Sequence, residues 1–189
     1  MSRYTGPKLK IIRRLGVLES ISTKIPKKKS EQHDVIQEKK TLYLTRLKEK
    51  QKLKYYYGVS EKQLTNYIKL AKRLKGSTGK IFLQLLEMRL DNLIFQAFLV
   101  NTISAARQLI NHKHVLVNHS IISIPGYQCQ PGDIIKIKKI EKIVFSKIPS
   151  HLSFDKNKNE VNVMGIVNWE NPFKNISEFL IIEFYSQKI

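Results

Sequence analysis

The sequence is poor in cysteine, tryptophan, alanine and acid, and each shortage narrows the choices. A single cysteine, Cys129, makes neither an internal disulfide nor a cysteine-pair zinc site. It stands between Gln128 and Gln130, ahead of Pro131, in a turn-like stretch, so it reads as a structural or incidental thiol. Such usage fits a reducing compartment. No run approaches the ~18 apolar residues of a membrane span. Nor does the apolar core of a secretory signal follow "MSRYTGPKLK". Only 15 acidic side chains oppose 34 Lys and Arg, a formal net charge of +19 over 189 residues. So much like charge repels itself unless a polyanion absorbs it. Nucleic acid is the first expected partner and an anionic membrane surface the second.

The charge is uneven. Residues 1–56 hold 16 basic and 5 acidic side chains, whereas residues 141–189 hold 6 of each. The polyanion should meet the N-terminal half, and the last fifty residues should pack. Residues 1–40 lack sustained periodicity, and "IPKKKS" at 25–30 reads as an extended basic arm. The stretch "TLYLTRLKEKQKLKYYY", 41–57, predicts a helix stopped by Gly58. Arg46, Lys50 and Lys54 recur every four residues along it and predict an outward basic ridge, widened by Lys48 and Lys52. Of the three closing tyrosines, at least one is expected in the core, and Tyr56 is a candidate for stacking on bases. Ser60 and Gln63 then form a capping box for a second helix. Leu64, Tyr67, Ile68, Ala71 and Leu74 make its apolar stripe, and Lys62, Lys69, Lys72 and Arg73 its cationic one.

"KGSTGK" at 75–80 is no phosphate loop. Two residues separate its glycines where four are needed, and Ile81 follows the lysine. It predicts a loop and a helix start capped by Ser77 or Thr78. A third helix is expected over about 79–99, with Leu83, Leu86, Leu90, Leu93, Ile94 and Ala97 inward and Arg89, Asp91 and Asn92 off that face. Thr102 should cap a short helix that buries Ala106, Leu109 and Ile110 and turns Arg107 and Asn111 outward, with His114 just beyond. Strands "VLVN", "SIISI" and "DIIKIK" follow. His112 and His114 flank Lys113, with no thiol or carboxylate close in sequence, which disfavours a metal. The segment 92–132, which holds these histidines, also lacks an acid to orient one for catalysis. A polar rim of Arg107, Asn111, Lys113 and His114 suits phosphates and bases better. Near the end, "HLSF" and "VNVM" read as short strands. The run from Asn175 reads as a buried last helix, with Ile176, Phe179, Leu180 and Phe184 on one face. Trp169 reads as core.

In this order, "SRYTGPKLKIIRRLG", "KQKLKYYYGVSEKQL", "GSTGKIFLQLLEMRLDN", "ARQLINHKHVLVN", "CQPGDIIKI" and "LIIEFYS" resemble the family of the fourth protein of the small ribosomal subunit, S-four, in its plastid form. The likeness covers nearly the whole chain. It implies an α+β architecture: a helical domain with a basic N-terminal arm, into which a small α/β RNA-binding domain of the S-four type is inserted. The boundaries it suggests are an arm over 1–44 and a helical part over 45–87 completed by a last helix at about 174–189. The S-four domain would span 88–150, with connecting strands over 151–173. It further implies small-subunit ribosomal RNA as partner, nucleation of body assembly, proximity to the messenger entry, and a contact with the fifth small-subunit protein that affects accuracy. No enzyme activity, cofactor, metal or membrane is expected.

The residues expected to meet RNA are Arg3, Lys8, Lys10, Arg13 and Arg14 in the arm and Arg46, Lys50, Lys54 and Tyr56 on the first long helix. Lys69, Lys72, Arg73, Lys80 and Arg89 follow, and then Arg107, Asn111, Lys113 and His114. Three departures from the family pattern stand out. Asn118-His119 replaces Asn-Gly at the hairpin, Gln187 replaces an arginine after "YS", and the cysteines of the zinc-binding relatives are missing. The 27 Lys against 7 Arg and 24 Ile against 4 Ala favour an A/T-rich genome such as a plastid's. The rival reading is a free RNA-binding ribosome-recycling factor.

Overall fold

The computed structural model describes residues 4, 6–18, 20–22, 41–97, 100–138, 149–155, 158–167 and 177–186. Arg3, the lysine run at 27–29, Trp169, Asn175, Ile176 and Gln187 lie outside them.

Helices come first along the chain. Within the expected basic arm, where the sequence shows no sustained periodicity, residues 8–15 form helix α1 (Lys8–Leu15). Its short triad Ile11, Ile12 and Leu15 is buried, and Leu18 and Ile21 extend the cluster against Tyr55 and Tyr56. Two turns are too few for the periodicity to stand out in sequence. Helix α2 (Leu42–Tyr56) starts at Thr41, whose hydroxyl accepts from Leu44 N at 3.4 Å. It ends as expected, with Gly58 in the left-handed region (φ 58°) and Val59 N donating back to Lys54 O at 3.1 Å. Helix α3 (Glu61–Arg73) carries both halves of the capping box: Ser60 Oγ accepts from Gln63 N, and Gln63 Oε1 from Ser60 N. Leu74 belongs to no apolar stripe. It caps α3 in extended backbone and is exposed.

The single helix expected over 79–99 is two, α4 (Thr78–Glu87) and α5 (Leu90–Gln96). Ser77 precedes α4, without a side-chain capping bond. The leucine spacing runs on, but the backbone at 88–90 pairs with a distant segment instead. Leu90 N donates to Tyr127 O and Cys129 N to Met88 O, each at 2.9 Å. That pairing turns Arg89 and Asp91, expected off the buried face, into the interior.

Helix α6 (Ile103–Asn111) follows, with Thr102 accepting from Ala105 N as expected. A five-stranded antiparallel sheet then forms from β1 (Val115–Val117), β2 (Ser120–Ile121), β3 (Ile134–Ile137), β4 (Leu152–Asp155) and β5 (Glu160–Val163), in the order β2-β1-β3-β5-β4. The strands expected at "HLSF" and "VNVM" form as β4 and β5, and β5 joins the rest of the sheet by pairing with β3 through Ile135 and Val161. At the first hairpin Asn118 (φ 48°) and His119 (φ 69°) both take the positive φ of a two-residue primed turn. The Asn118 carboxamide anchors it, donating to Asp133 Oδ1 and accepting from Ile134 N.

Beside the small cluster at α1, two larger apolar clusters result. One joins α2, α3 and α4 with helix α7 (Glu178–Ser186) through residues such as Leu53, Leu64, Ile68, Phe82, Ile181 and Phe184. The other fills the space between α5, α6 and the sheet, through Leu93, Ile110, Val115, Ile135 and Val161. Phe179, expected on the buried face of the last helix, is instead 78 % exposed.

Candidate nucleic-acid interface

Positive charge divides into two populations, one exposed and one held by acids. Exposed cations without an ion pair among the described residues stand on α1, on α3 and in the turns beside them, and Lys48 on α2 joins them. On α1, Lys8, Lys10, Arg13 and Arg14 are exposed opposite the buried Ile11, Ile12 and Leu15. Lys8 Nζ reaches Ser104 Oγ at 3.4 Å, which brings α1 beside the first turn of α6. On α3, Lys69, Lys72 and Arg73 are exposed, and Lys80 is exposed on the first turn of α4. Beyond α6, Lys113 sits at φ 60°. Its N–H donates to Ile110 O and that of His114 to Leu109 O, closing the helix in a Schellman turn. The position usually falls to glycine; here it puts a lysine on an exposed corner beside exposed Asn111 and His112 and half-buried His114. The two imidazoles lie 6.2 Å apart.

Along α2, Arg46, Lys50 and Lys54 turn to acids rather than to solvent. Arg46 donates through Nε (2.9 Å) and Nη2 to the Glu183 carboxylate on α7. Lys50, 8 % exposed, donates to Glu61 Oε1 at 2.8 Å and lies 4.4 Å from the centre of the Phe184 ring. Lys54 stands 4.0 Å from Glu61 Oε2. Burial pushes the Glu61 carboxyl up, but hydrogen bonds from Lys50 and Tyr185 and the nearby ammonium charges outweigh it, leaving the group below its ordinary range. The expected outward ridge is thus a clamp holding α3 and α7 to α2. Tyr56 is no open platform either: the rings of Tyr57 and Phe95 meet it edge-on at 5.1 and 6.5 Å.

Arg89 and Arg107 also turn inward. Arg89 is 2 % exposed. It forks onto Asp91 through Nε (3.0 Å) and Nη2 (2.8 Å), and Nη1 donates to the Tyr67 hydroxyl at 2.7 Å. Arg107 shares the same carboxylate, Nε to Asp91 Oδ2 at 2.7 Å, and donates to the Tyr57 and Gly58 carbonyls. Outward direction from a four-residue spacing failed at Arg107 because the acceptors come from 49 and 50 residues earlier. Beside this cluster Glu87 is fully buried without a cation. Tyr57 donates to its Oε1, and Asn92 (2.7 Å) and Gln96 to its Oε2. Burial lifts the Glu87 carboxyl above its ordinary range, and those donors only partly offset the shift. Burial also pushes the Cys129 thiol up to about 12, which leaves it unreactive. The described residues contain no group of three or more metal-ligating side chains.

Comparison with known proteins follows the same division. Residues 3–87 match the family described as Ribosomal protein S4/S9 N-terminal domain, and residues 88–135 the S4 domain. The boundary falls at the α4–α5 break, between the two apolar clusters. Small ribosomal subunit protein uS4c of Emiliania huxleyi is 50 % identical over all of both chains. Its counterpart in Physcomitrium patens is 47 % identical over the same full extent. The uS4 protein of Thermosynechococcus vestitus is 46 % identical, again over both entire chains. These relatives carry the names of ribosomal proteins and not of enzymes. The chain belongs to the uS4 family of small-ribosomal-subunit proteins.

Proposed function

We propose that the chain, a structural protein of the plastid small ribosomal subunit, binds small-subunit ribosomal RNA through its unpaired cations and so nucleates assembly of the body. Lys10, Arg13 and Arg14 on α1 and Lys69, Lys72 and Arg73 on α3 neutralise phosphates and release the counterions condensed on the RNA. Lys80, Lys113, Asn111 and His114 add contacts from the adjoining turns. That release supplies most of the affinity, and the shape of the folded RNA supplies the choice of site. In the assembled subunit the protein lies near the messenger entry and meets the fifth small-subunit protein, a contact that bears on accuracy. The observation that carries the reading is the sorting of charge: acids neutralise the α2 ridge and the two inward arginines, and leave α1 and α3 bare. A ribosome-recycling factor is the weaker reading, because relatives matched over their whole length carry the small-subunit name.

The test is a salt titration of binding to a small-subunit rRNA transcript. At ~0.7–0.9 per phosphate, the log–log slope should exceed ~3 in magnitude. A shallower slope contradicts the reading.

A further inference from the structure

Helix α6 is tied to the C-terminal end of α2 at two points, one turn apart. At the first, Ser20, 1 % exposed, accepts from Ile103 N through its carbonyl (3.0 Å) and donates through its hydroxyl to Tyr56 O (2.7 Å). At the second, Arg107 donates to Tyr57 O (2.7 Å) and Gly58 O, while Asp91 holds its Nε. At the negative end of α2 the Tyr57 and Gly58 carbonyls therefore bind α6 directly, and the Tyr56 carbonyl binds it through Ser20. A Cβ on Gly58 would stand 2.9 Å from Arg107 Nη1, so glycine is needed there for approach as well as for φ. One attachment would act as a pivot; two fix a direction. The two larger apolar clusters on either side are separate, and these polar contacts join them beside the Tyr56–Phe95 ring contact.

What the junction joins gives it meaning. Gly58 leads into α3 and its bare Lys69, Lys72 and Arg73, and α6 runs into the exposed Asn111–Lys113 corner. We infer that the Ser20–Arg107 latch sets the placement of these two cationic faces relative to each other, and that this placement makes the protein select folded ribosomal RNA over other polyanions. Arg107 is a positioning residue, with three of its five donors committed to protein acceptors. The inference rests on the RNA-binding reading above. Two linked faces gain affinity together only when both can engage at once, and a loosened angle removes that gain without removing a charge.

Two variants of the full chain test it. Arg107→Lys keeps the charge and loses the fork; Ser20→Ala changes no charge and removes a hydroxyl that RNA cannot reach. Each should weaken binding to the small-subunit rRNA transcript, Arg107→Lys by about tenfold or more and Ser20→Ala by less. Binding to poly(U) should change less than about twofold, with an unaltered salt slope. Spin labels at Asn66→Cys and Gln108→Cys, exposed and uncharged positions on α3 and α6, read the angle directly. Their distance distribution should be narrow in the parent chain and broad in both variants. Equal losses for both RNAs would make Arg107 a simple phosphate ligand and overturn the inference, as would parent-like selectivity in both variants. Should Arg107→Lys fail to fold, Ser20→Ala decides alone. If the parent chain prefers neither RNA, the RNA-binding reading fails and the inferred selectivity with it; the label distances still report whether the latch holds.

Discussion

Helices α2 and α3 are consecutive, of 15 and 13 residues, and both rich in lysine, yet they use their charge in opposite ways. On α2, Arg46, Lys50 and Lys54 face Glu183 and Glu61, and Lys50 also lies over an aromatic ring. On α3, Lys69, Lys72 and Arg73 face solvent with no acid to meet them among the described residues. The difference lies in the neighbours and not in the helices. The region from 141 onward has as many acids as bases, and α7 packs Glu183 against α2. Glu183 of the charge-balanced tail and Glu61 at the start of α3 thus turn one basic stripe into scaffold, and the far end of α3 is left for a polyanion.

The strongest way to break this comparison is to remove the acid that holds two cations at once. Asp91→Ala leaves Arg89 buried without its carboxylate and takes one of three acceptors from Arg107. An unfolding titration should show a loss of about 3–5 kcal/mol. A loss under ~1 kcal/mol would mean that the buried arginines do not depend on it.

Next comes the reciprocal pair. Replacing Lys69, Lys72 and Arg73 together by alanine should leave the melting temperature nearly unchanged. It should lower the salt slope for rRNA by about 2–3, at ~0.7–0.9 per lost contact. Lys50→Ala should do the reverse, costing about 1–3 kcal/mol of stability with little change in slope. If Lys50→Ala lowered the slope as the triple variant does, scaffold and interface would not be separable.

The smallest effect contrasts Asp91 with Glu87, a buried acid without a cation. Its folded-state pKa is raised, so its contribution is complete below the ordinary carboxylate value and is lost as pH rises through the raised one. Stability should therefore decline with rising pH above about 4.5, and Glu87→Gln should flatten the decline. A decline that persists in that variant would assign the titration elsewhere.

Much of this was readable from local signals. The Ser60–Gln63 box, the stop at Gly58, the Thr102 cap and the hairpin at Asn118-His119 each rest on residues a few positions apart, and all formed. The cationic face of α3 was legible because its stripe is clean. What escaped was set by distance along the chain. The break at Met88-Arg89 depends on pairing with Tyr127 and Cys129, and nothing near the leucines marks it. The inward turn of Arg46 depends on Glu183, 137 residues away, and that of Arg107 on two carbonyls 49 and 50 residues earlier. A helical wheel reports which residues share a face, and the partner that covers the face decides whether it is surface.

Lysine acetylation read by mass spectrometry, with and without the small-subunit rRNA transcript, tests the sorting of charge most directly. Lys69 and Lys72 should react readily in the free protein and be shielded by RNA, while Lys50 should resist modification in both states. Free reaction of Lys50, or Lys69 and Lys72 equally reactive with RNA bound, would contradict the account.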